Sequence, residues 1–238
     1  MGGNDNSLLA HGERSAGAFY GRRKAKPLTD LQQGLQDRLL PELLLDITNP
    51  APRDLRELFS HAPKSLRLEI GFGGGEHLVS EAARFPQTGF IGVEPFINGV
   101  AKALVGIDEH GLRNIRLYDQ DATRLLDWLP DASIDRVDLF YPDPWPKRRH
   151  WKRRFVNPEN LCRFARIVKP DGEFRFASDI EHYVNWTLRL VMANGDFEWT
   201  AQCADDWHLA WDGWVRTRYE QKAIRERRPP AYFIFKRR

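Results

Sequence analysis

The chain of 238 residues has little that would indicate a disulfide-stabilised, metal-binding or membrane-spanning protein. Its two cysteines, Cys162 and Cys203, lack the CxxC or Cys/His spacing of disulfide scaffolds and zinc sites, so we expect no metal and a reducing compartment. The longest stretch without Asp, Glu, Lys or Arg is nine residues, 85–93, whereas a membrane helix needs about 20 apolar residues. No signal peptide is evident, because residues 1–6 have neither a basic flank nor an apolar core. These absences favour a cytoplasmic protein with no membrane partner.

What the sequence does contain is an uneven distribution of charge. The formal net charge is only +3, from 36 basic and 33 acidic residues. Residues 147–154 (KRRHWKRR) carry +6 and residues 214–238 carry +7, which leaves −10 on the other 205 residues. An acidic body with two basic segments is typical of a protein that binds a polyanion locally. A solvated charged surface explains the charge alone equally well, so the choice depends on neighbouring motifs.

The pattern of apolar residues predicts a single domain, residues 31–238, preceded by an arm. Residues 1–30 are rich in Gly, Ser, Asn and charge and have no helical or strand period, which predicts a flexible basic arm. A helix is predicted from Leu31, with an interruption near Pro41. Seven strands are predicted at residues 65–71, 89–94, 114–118, 136–141, 173–178, 197–203 and 231–236, and helices at 76–84, 98–109, 122–129, 157–168 and 180–193. This alternation predicts a doubly wound α/β domain with helices on both faces of a parallel sheet and a ligand crevice at the carboxyl ends of the strands.

A glycine-rich loop, EIGFGGG at residues 69–75, follows the first predicted strand. Glycine permits positive φ and lets a ligand approach the backbone, although a tight βα turn alone could also require it. A dinucleotide-binding fingerprint needs glycine at position 76, where this chain has Glu76, and a pyrophosphate there would meet a carboxylate. The loop resembles instead the first motif of class I S-adenosylmethionine methyltransferases, whose cofactor carries a cationic sulfonium and amino group. A carboxylate such as Glu69 could attract those charges.

Acidic residues also follow the second and third predicted strands. Glu94 lies where an acidic side chain can accept hydrogen bonds from both hydroxyls of a ribose. Asp121 lies where the methyltransferase fold commonly binds the adenine amino group, and it is also placed to cap the helix that begins at Ala122. Acids after three successive strands, together with the glycine loop, indicate S-adenosylmethionine more strongly than any one of them does.

The most informative segment, LFYPDPWPK at residues 139–147, follows the fourth predicted strand. Its three prolines cannot continue a central β ladder, so the chain must leave the sheet as a rigid turn that fixes the groups it carries. This turn resembles the [DN]-P-P-[YF] site of nucleobase N-methyltransferases, with Asp143 in the acid/amide position and Trp145 in a stacking position. The basic run follows at once, and interleaved cations and aromatic side chains suit the phosphates and exposed bases of RNA.

The longer segment PDPWPKRRHWKRR, residues 142–154, is similar to the signature of bacterial tRNA (guanine-N7-)-methyltransferases, and the same order of motifs covers roughly residues 60–235. The resemblance implies a Rossmann-like class I methyltransferase fold, with a seven-stranded, mostly parallel sheet and an antiparallel C-terminal strand. It implies methyl transfer from S-adenosylmethionine to N7 of a guanosine in the variable loop of tRNA. Cofactor contacts are implied for Glu69, Gly71, Glu94, Asp121 and Asp143, of which Asp143 is also catalytic. Substrate contacts are implied for Lys147, Asp179, Thr217, Arg218, Tyr219 and Glu220. The sequence departs from the family at residues 213–216 (GWVR), where an Arg-Pro lead-in is frequent.

Guanine N7 has an in-plane lone pair, so its methylation needs no prior removal of a proton but leaves the base cationic. Carboxylates at the base edge would stabilise that charge, and we expect Asp143 and Asp179 to do so. Contacts to tRNA phosphates are predicted for the basic arm at residues 22–26 and for Arg148, Arg149, Lys152, Arg153 and Arg154.

Two alternatives stay open: a methyltransferase acting on another target, and a non-catalytic RNA-binding module. The sequence does not decide between a monomer and a homodimer.

Overall fold

The computed structural model describes residue 21 and residues 23–238, and in that part of the chain seven strands form one sheet. The strands are β1 (Ser65–Ile70), β2 (Thr88–Val93), β3 (Ile115–Tyr118), β4 (Ile134–Phe140), β5 (Val168–Ser178), β6 (Phe197–Trp199) and β7 (Ala231–Arg237). Their order in the sheet is β3-β2-β1-β4-β5-β7-β6. The first five strands in that order pair in parallel, and β7 runs antiparallel to both β5 and β6. The predicted mostly parallel sheet with an antiparallel C-terminal strand is therefore confirmed.

The strands are connected by helices. These are α1 (Asp30–Arg38), α2 (Leu40–Leu43), α3 (Glu76–Arg84), α4 (Ile97–Glu109), α5 (Ala122–Trp128), α6 (Pro158–Ile167), α7 (Glu181–Asn194), α8 (Asp205–His208) and α9 (Arg218–Arg225). Two 3₁₀ helices span Leu55–Leu58 and Arg148–Arg153. The interruption predicted near Pro41 is present, because Pro41 occupies the first turn of α2, where a missing N–H is tolerated. Within the described ranges, no helix is long and apolar enough to cross a membrane.

Apolar side chains form a separate core on each side of the sheet. One core joins β1, β4 and β5 to α5, α6 and α7, and includes Leu68, Leu125 and Phe164. The other joins β2 and β3 to α3 and α4, and includes Leu78 and Leu104. Helices on both faces are what the alternating sequence predicted. Because β1 to β5 are parallel, their carboxyl ends lie at one edge of the sheet. The strand order reverses between β1 and β4, and ligand crevices form at such points in α/β sheets.

The predicted boundaries were wrong mainly around β5 and β6. Strand β5 begins at Val168 rather than at residue 173, because the Pro-Asp-Gly sequence at residues 170–172 is an irregularity within the strand, with Asp171 at a φ of 64°. Strand β6 ends at Trp199 rather than at residue 203. There the chain turns, and the Asp206 carboxylate accepts hydrogen bonds from the backbone N–H groups of Gln202 and Cys203 at 2.8 and 3.0 Å. Helices α8 and α9 were not predicted.

Most of the predicted N-terminal arm, including Arg22, lies outside the described residues. The part that is described contacts the beginning of α4. The Ile97 N–H donates to the Arg23 carbonyl at 2.9 Å, and Asn98 bonds the backbone on both sides, accepting from the Ala25 N–H at 2.9 Å and donating to the Lys26 carbonyl at 2.8 Å. Residues 23–26 are thus fastened to the domain close to the crevice.

Candidate active site

A cavity of about 790 Å³ opens at the carboxyl ends of β1, β2, β3 and β4. This volume is in the range of sites that enclose a small-molecule ligand. The predicted residues that line it are Gly71, Glu94, Asp121, Asp143, Trp145, Lys152, Arg153, Arg154, Arg218 and Tyr219. In the described residues, no three His, Cys, Asp or Glu side chains are grouped as metal ligands. The structure therefore brings three of the predicted carboxylates to one cavity whose rim is basic.

Glu94 connects the turn after β2 to the glycine loop. Its Oε2 accepts a hydrogen bond from the Gly73 N–H at 2.7 Å, and its Oε1 accepts one from the Phe96 N–H at 3.0 Å. Burial raises the pKa of Glu94, and the two backbone donors oppose that rise. Gly99 permits this close approach of α4 to the loop, because a Cβ at that position would lie 2.3 Å from the Gly73 carbonyl oxygen. The carboxylate is thereby fixed in direction and still has lone pairs for a ligand.

Asp121 caps α5. Its Oδ1 accepts hydrogen bonds from the Thr123 backbone N–H at 2.9 Å and from Thr123 Oγ1 at 2.8 Å. The capping interpretation of Asp121 is therefore confirmed. Because the cap uses Oδ1, it leaves Oδ2 for a hydrogen-bond donor inside the cavity.

The turn after β4, which carries Asp143, is held in an unusual backbone conformation. Tyr141 and Trp145 have positive φ values of 49° and 43°, which residues with side chains rarely adopt. The Nε of Arg154 donates to the Pro144 carbonyl at 2.9 Å and fixes the middle of the turn. Asp143 is exposed at the cavity rim, yet the protein atoms around its carboxylate desolvate it and raise its pKa.

Arg154 requires a correction, because it is not placed to contact RNA phosphates. It is 1% exposed, and its guanidinium carbon lies 5.0–5.1 Å from the ring centroids of Trp151, Tyr183 and Trp186. Its Nη1 is 3.1 Å from His182 Nδ1, and burial lowers its pKa. Arg154 forms part of the cavity wall, but the aromatic side chains around its guanidinium leave it almost no exposed surface for a phosphate.

The rest of the basic run stays near the surface. Lys147, Arg148, Arg149 and Lys152 are exposed. Arg153 is half-buried, with its guanidinium carbon 4.9 Å from the centroid of the Trp145 ring. The positions of these five side chains are compatible with phosphate or base contacts, which stay predictions.

Two of the predicted substrate residues, Thr217 and Glu220, hold α9 in place. The Thr217 hydroxyl caps the helix by accepting from the Glu220 N–H at 3.2 Å. Glu220 is 2% exposed, and its carboxylate accepts from the Tyr232 hydroxyl at 2.6 Å and from Trp214 Nε1 at 2.5 Å. Trp214 comes from the GWVR segment and was not identified from the sequence, because its bond to Glu220 depends on tertiary structure.

The other two, Arg218 and Tyr219, face the cavity. A Cβ placed on Gly73 would lie 3.4 Å from the Tyr219 ring and 3.5 Å from Arg218 Nη2, so both side chains extend over the glycine loop. Asp179 lies at the end of β5 and accepts a hydrogen bond from Arg228 Nε through its Oδ2 at 2.6 Å. Of the four predicted residues at the beginning of α9, Thr217 and Glu220 hold the helix in place, and Arg218 and Tyr219 face the cavity.

Glu69 differs from its expected position, since it is buried and is not one of the residues that line the cavity. Its Oε2 lies 2.7 Å from Nδ1 of His77, in the first turn of α3. Burial alone would lower the pKa of His77, but the Glu69 carboxylate, assisted by Asp138, raises it. His77 was not singled out from the sequence, because nothing in its local pattern indicates a partner on β1.

Comparison with known proteins is consistent with this geometry. Residues 63–231 match the family described as "Putative methyltransferase". The chain is 60% identical over 229 residues to the tRNA (guanine-N(7)-)-methyltransferase of Brucella anthropi, covering 96% of this chain and 98% of that protein. A protein of the same name from Rhizobium meliloti is 59% identical over 226 residues, covering 95% and 97%.

Two solved structures resemble the fold. The 16S rRNA methyltransferase KamB has a TM-score of 0.54 and 14% identity, covering 80% of this chain and 95% of that one. The aminoglycoside resistance methyltransferase NpmB1 has a TM-score of 0.53 and 18% identity, covering 79% and 95%. At these identities, the similarity supports a shared methyltransferase fold and nothing about the target.

Proposed function

The chain belongs to the tRNA (guanine-N(7)-)-methyltransferase family, and we propose that it transfers the methyl group of S-adenosylmethionine to N7 of a guanosine in the variable loop of tRNA. The products are N7-methylguanosine and S-adenosylhomocysteine. The observation that carries this proposal is the convergence of Glu94, Asp121 and Asp143 on one cavity with a basic rim.

The side chains around the cavity fit S-adenosylmethionine in their chemistry. Glu94 has lone pairs for the two ribose hydroxyls, and Asp121 Oδ2 can accept from the adenine amino group. Gly71, with a φ of 73° and no atom within 4 Å of a Cβ built there, leaves room for a ligand against the loop. When bound, the cofactor supplies an electrophilic methyl group on a cationic sulfur.

Asp143 acts where positive charge develops. Guanine N7 attacks with a lone pair that needs no deprotonation, so as the N–C bond forms and the C–S bond breaks, the base becomes cationic. An ionised Asp143 on a fixed turn accepts hydrogen bonds from the guanine edge and stabilises that charge. Asp179, whose Oδ2 is held by Arg228, offers its Oδ1 to the same base.

The substrate side of the site combines stacking with cations. Tyr219 is 47% exposed above the glycine loop, which leaves its ring available to a flipped base, and Arg218 and Lys147 provide cations for phosphate or base oxygens. Thr217 and Glu220 support this arrangement through the contacts that fix α9. We retain Glu69 and Gly71 as cofactor residues, with Glu69 contributing at least through the glycine loop.

The test is transfer of labelled methyl from S-adenosylmethionine to unmodified tRNA transcripts, with the product located by cleavage at N7-methylguanosine. We expect label at a variable-loop guanosine, and a loss of about 100-fold or more in Asp143→Ala. Asp131→Ala is the matched control, since Asp131 is an exposed acid paired with Arg166 away from the cavity. Label at another nucleotide would mean that the enzyme methylates a different position of the RNA. Tight tRNA binding, with no label and no calorimetric uptake of S-adenosylmethionine, would favour the binding module.

A further inference from the structure

His77 is a buried histidine that contacts both Glu69, at the beginning of the glycine loop, and Trp214, which holds α9. It is 3% exposed, and its Nδ1 lies 2.7 Å from Glu69 Oε2. Because a carboxylate oxygen only accepts, Nδ1 is the donor. Glu69 is the first residue of the glycine loop and His77 lies just after its last, so this one hydrogen bond connects the two ends of the loop that lines the cofactor cavity.

The ring of the same histidine packs against Trp214, the residue that bonds Glu220 of α9. Its centroid is 5.2 Å from that of Trp214 and 4.9 Å from that of Phe140, the last residue of β4. Trp214 donates to the Glu220 carboxylate, which also accepts from Tyr232. The contacts therefore run from the glycine loop, through His77 and Trp214, to the helix whose Arg218 and Tyr219 extend over that loop at Gly73.

We propose that His77 is a positioning residue with two separable actions: its Nδ1–H fixes Glu69 and the glycine loop for the cofactor, and its ring fixes Trp214 and α9 for the tRNA. This inference rests on the proposed function and states how the cofactor and substrate sides of the same site are held together. A donor and a flat ring are both needed at this position. Asparagine supplies the donor without the ring, and phenylalanine supplies a ring without the donor.

Two substitutions separate these actions. His77→Phe leaves the buried Glu69 carboxylate without its donor, so the calorimetric Kd for S-adenosylmethionine should rise roughly 10-fold. Its kcat/KM for tRNA at saturating cofactor should stay within about twofold, because the aromatic contact with Trp214 is kept. His77→Asn should show the reverse pattern: a cofactor Kd within about twofold of wild type and a kcat/KM for tRNA that is lowered roughly fivefold.

A third variant and a control make the test independent of stability. Trp214→Phe keeps a ring against His77 but loses the donor to Glu220, so it should lower kcat/KM for tRNA and leave the cofactor Kd unchanged. Val79→Ala, on α3 in the core beneath α4, should lower the thermal midpoint without affecting either ligand selectively. The proposal is overturned if the two His77 variants weaken both ligands together in proportion to their loss of thermal midpoint, or if neither separates the two ligands. A wild-type protein that takes up no S-adenosylmethionine would instead refute the proposed function itself.

Discussion

The two segments that carry the excess positive charge, residues 147–154 and 214–238, look equivalent in the sequence, but the fold uses them differently. In the described part of the chain, Arg148, Arg149 and Lys152 form no ion pair with a carboxylate, and they are exposed beside the cavity. In the second segment, several cations pair with acids of the protein itself. Arg228 pairs with Asp179 and Glu226, Lys236 with Asp171, and Arg237 with Asp196.

Because of this difference, we expect the placement of the cations, and not their number, to control RNA affinity. A cation contributes to salt-dependent binding only when it neutralises a phosphate and releases the counterions condensed there. A lysine or arginine that already lies against a carboxylate of the fold has less to gain from a phosphate. Arg154 illustrates a third outcome, because it belongs to the first segment and yet serves as an internal support of the turn that carries Asp143.

The largest effect is expected from Arg154→Ala. The substitution removes the bond to the Pro144 carbonyl and leaves a cavity among three aromatic rings, so the free energy of unfolding should fall by about 3 kcal/mol. Turnover should fall about 100-fold in protein that is still folded at the assay temperature, because displacement of the turn misplaces Asp143. Urea denaturation and single-turnover methylation measure the two effects. Arg149→Ala is the control within the same run, and equal behaviour of the two variants would disprove the distinction between buried and exposed cations.

The next effect is expected from the double variant Arg148→Ala/Arg149→Ala. If both side chains neutralise phosphates, the slope of log affinity for tRNA against log salt should decrease by about 1.8. The thermal midpoint should not change, since both side chains are exposed. Filter binding over a range of salt concentrations measures the slope. The matched control is Lys236→Ala/Arg237→Ala, which removes the same charge from the second segment and should leave the slope nearly unchanged. A similar decrease in both double variants would mean that total charge, and not placement, controls binding.

The fold was predictable from the sequence where local pattern and tertiary structure agree. Helix α3 was predicted at residues 76–84 and is found at Glu76–Arg84, because its apolar positions repeat at helical spacing and the glycines define its beginning. Helices α8 and α9 were missed because they have only four and eight residues, shorter than the window of about 11–18 residues over which a helical period is read. Their positions depend on packing against β7 and the aromatic residues around Trp214.

The site shows the same division. Glu94, Asp121 and Asp143 could be placed together in advance, because each follows a parallel strand and the carboxyl ends of those strands share one edge. His77, Trp214 and the role of Arg154 could not. Each is defined by a contact to a residue distant in the chain or by enclosure in other side chains, neither of which leaves a trace in local spacing.

A smaller effect is expected from substitutions in α9. Unlike the paired cations elsewhere in the second segment, Lys222 and Arg225 of this helix are exposed on the side that continues from the cavity. Lys222 and Arg225 follow Arg218 at spacings of four and seven residues, which places all three on one side of the helix, beginning at the cavity. Lys222→Ala/Arg225→Ala should reduce the salt slope by about one unit, less than the Arg148/Arg149 pair, because Lys222 lies 3.9 Å from Glu226. The same salt titration tests this. No change in slope would restrict tRNA contacts to the first segment and the cavity.

The smallest effect concerns His150, which lies among the cations of the first segment. Desolvation, together with repulsion from Arg153 and Arg149, lowers the pKa of His150 below its ordinary value. Removing one of these cations in Arg149→Ala should raise the pKa of His150 toward its ordinary value, measured by NMR titration of the ring protons at low salt. Added salt should reduce the difference, since exposed charges are screened. Lys236→Ala, in the segment whose cations are paired, should leave the pKa of His150 unchanged. If both substitutions shift the pKa of His150 equally, the two segments act as one diffuse charge, and the distinction drawn between them loses its electrostatic basis.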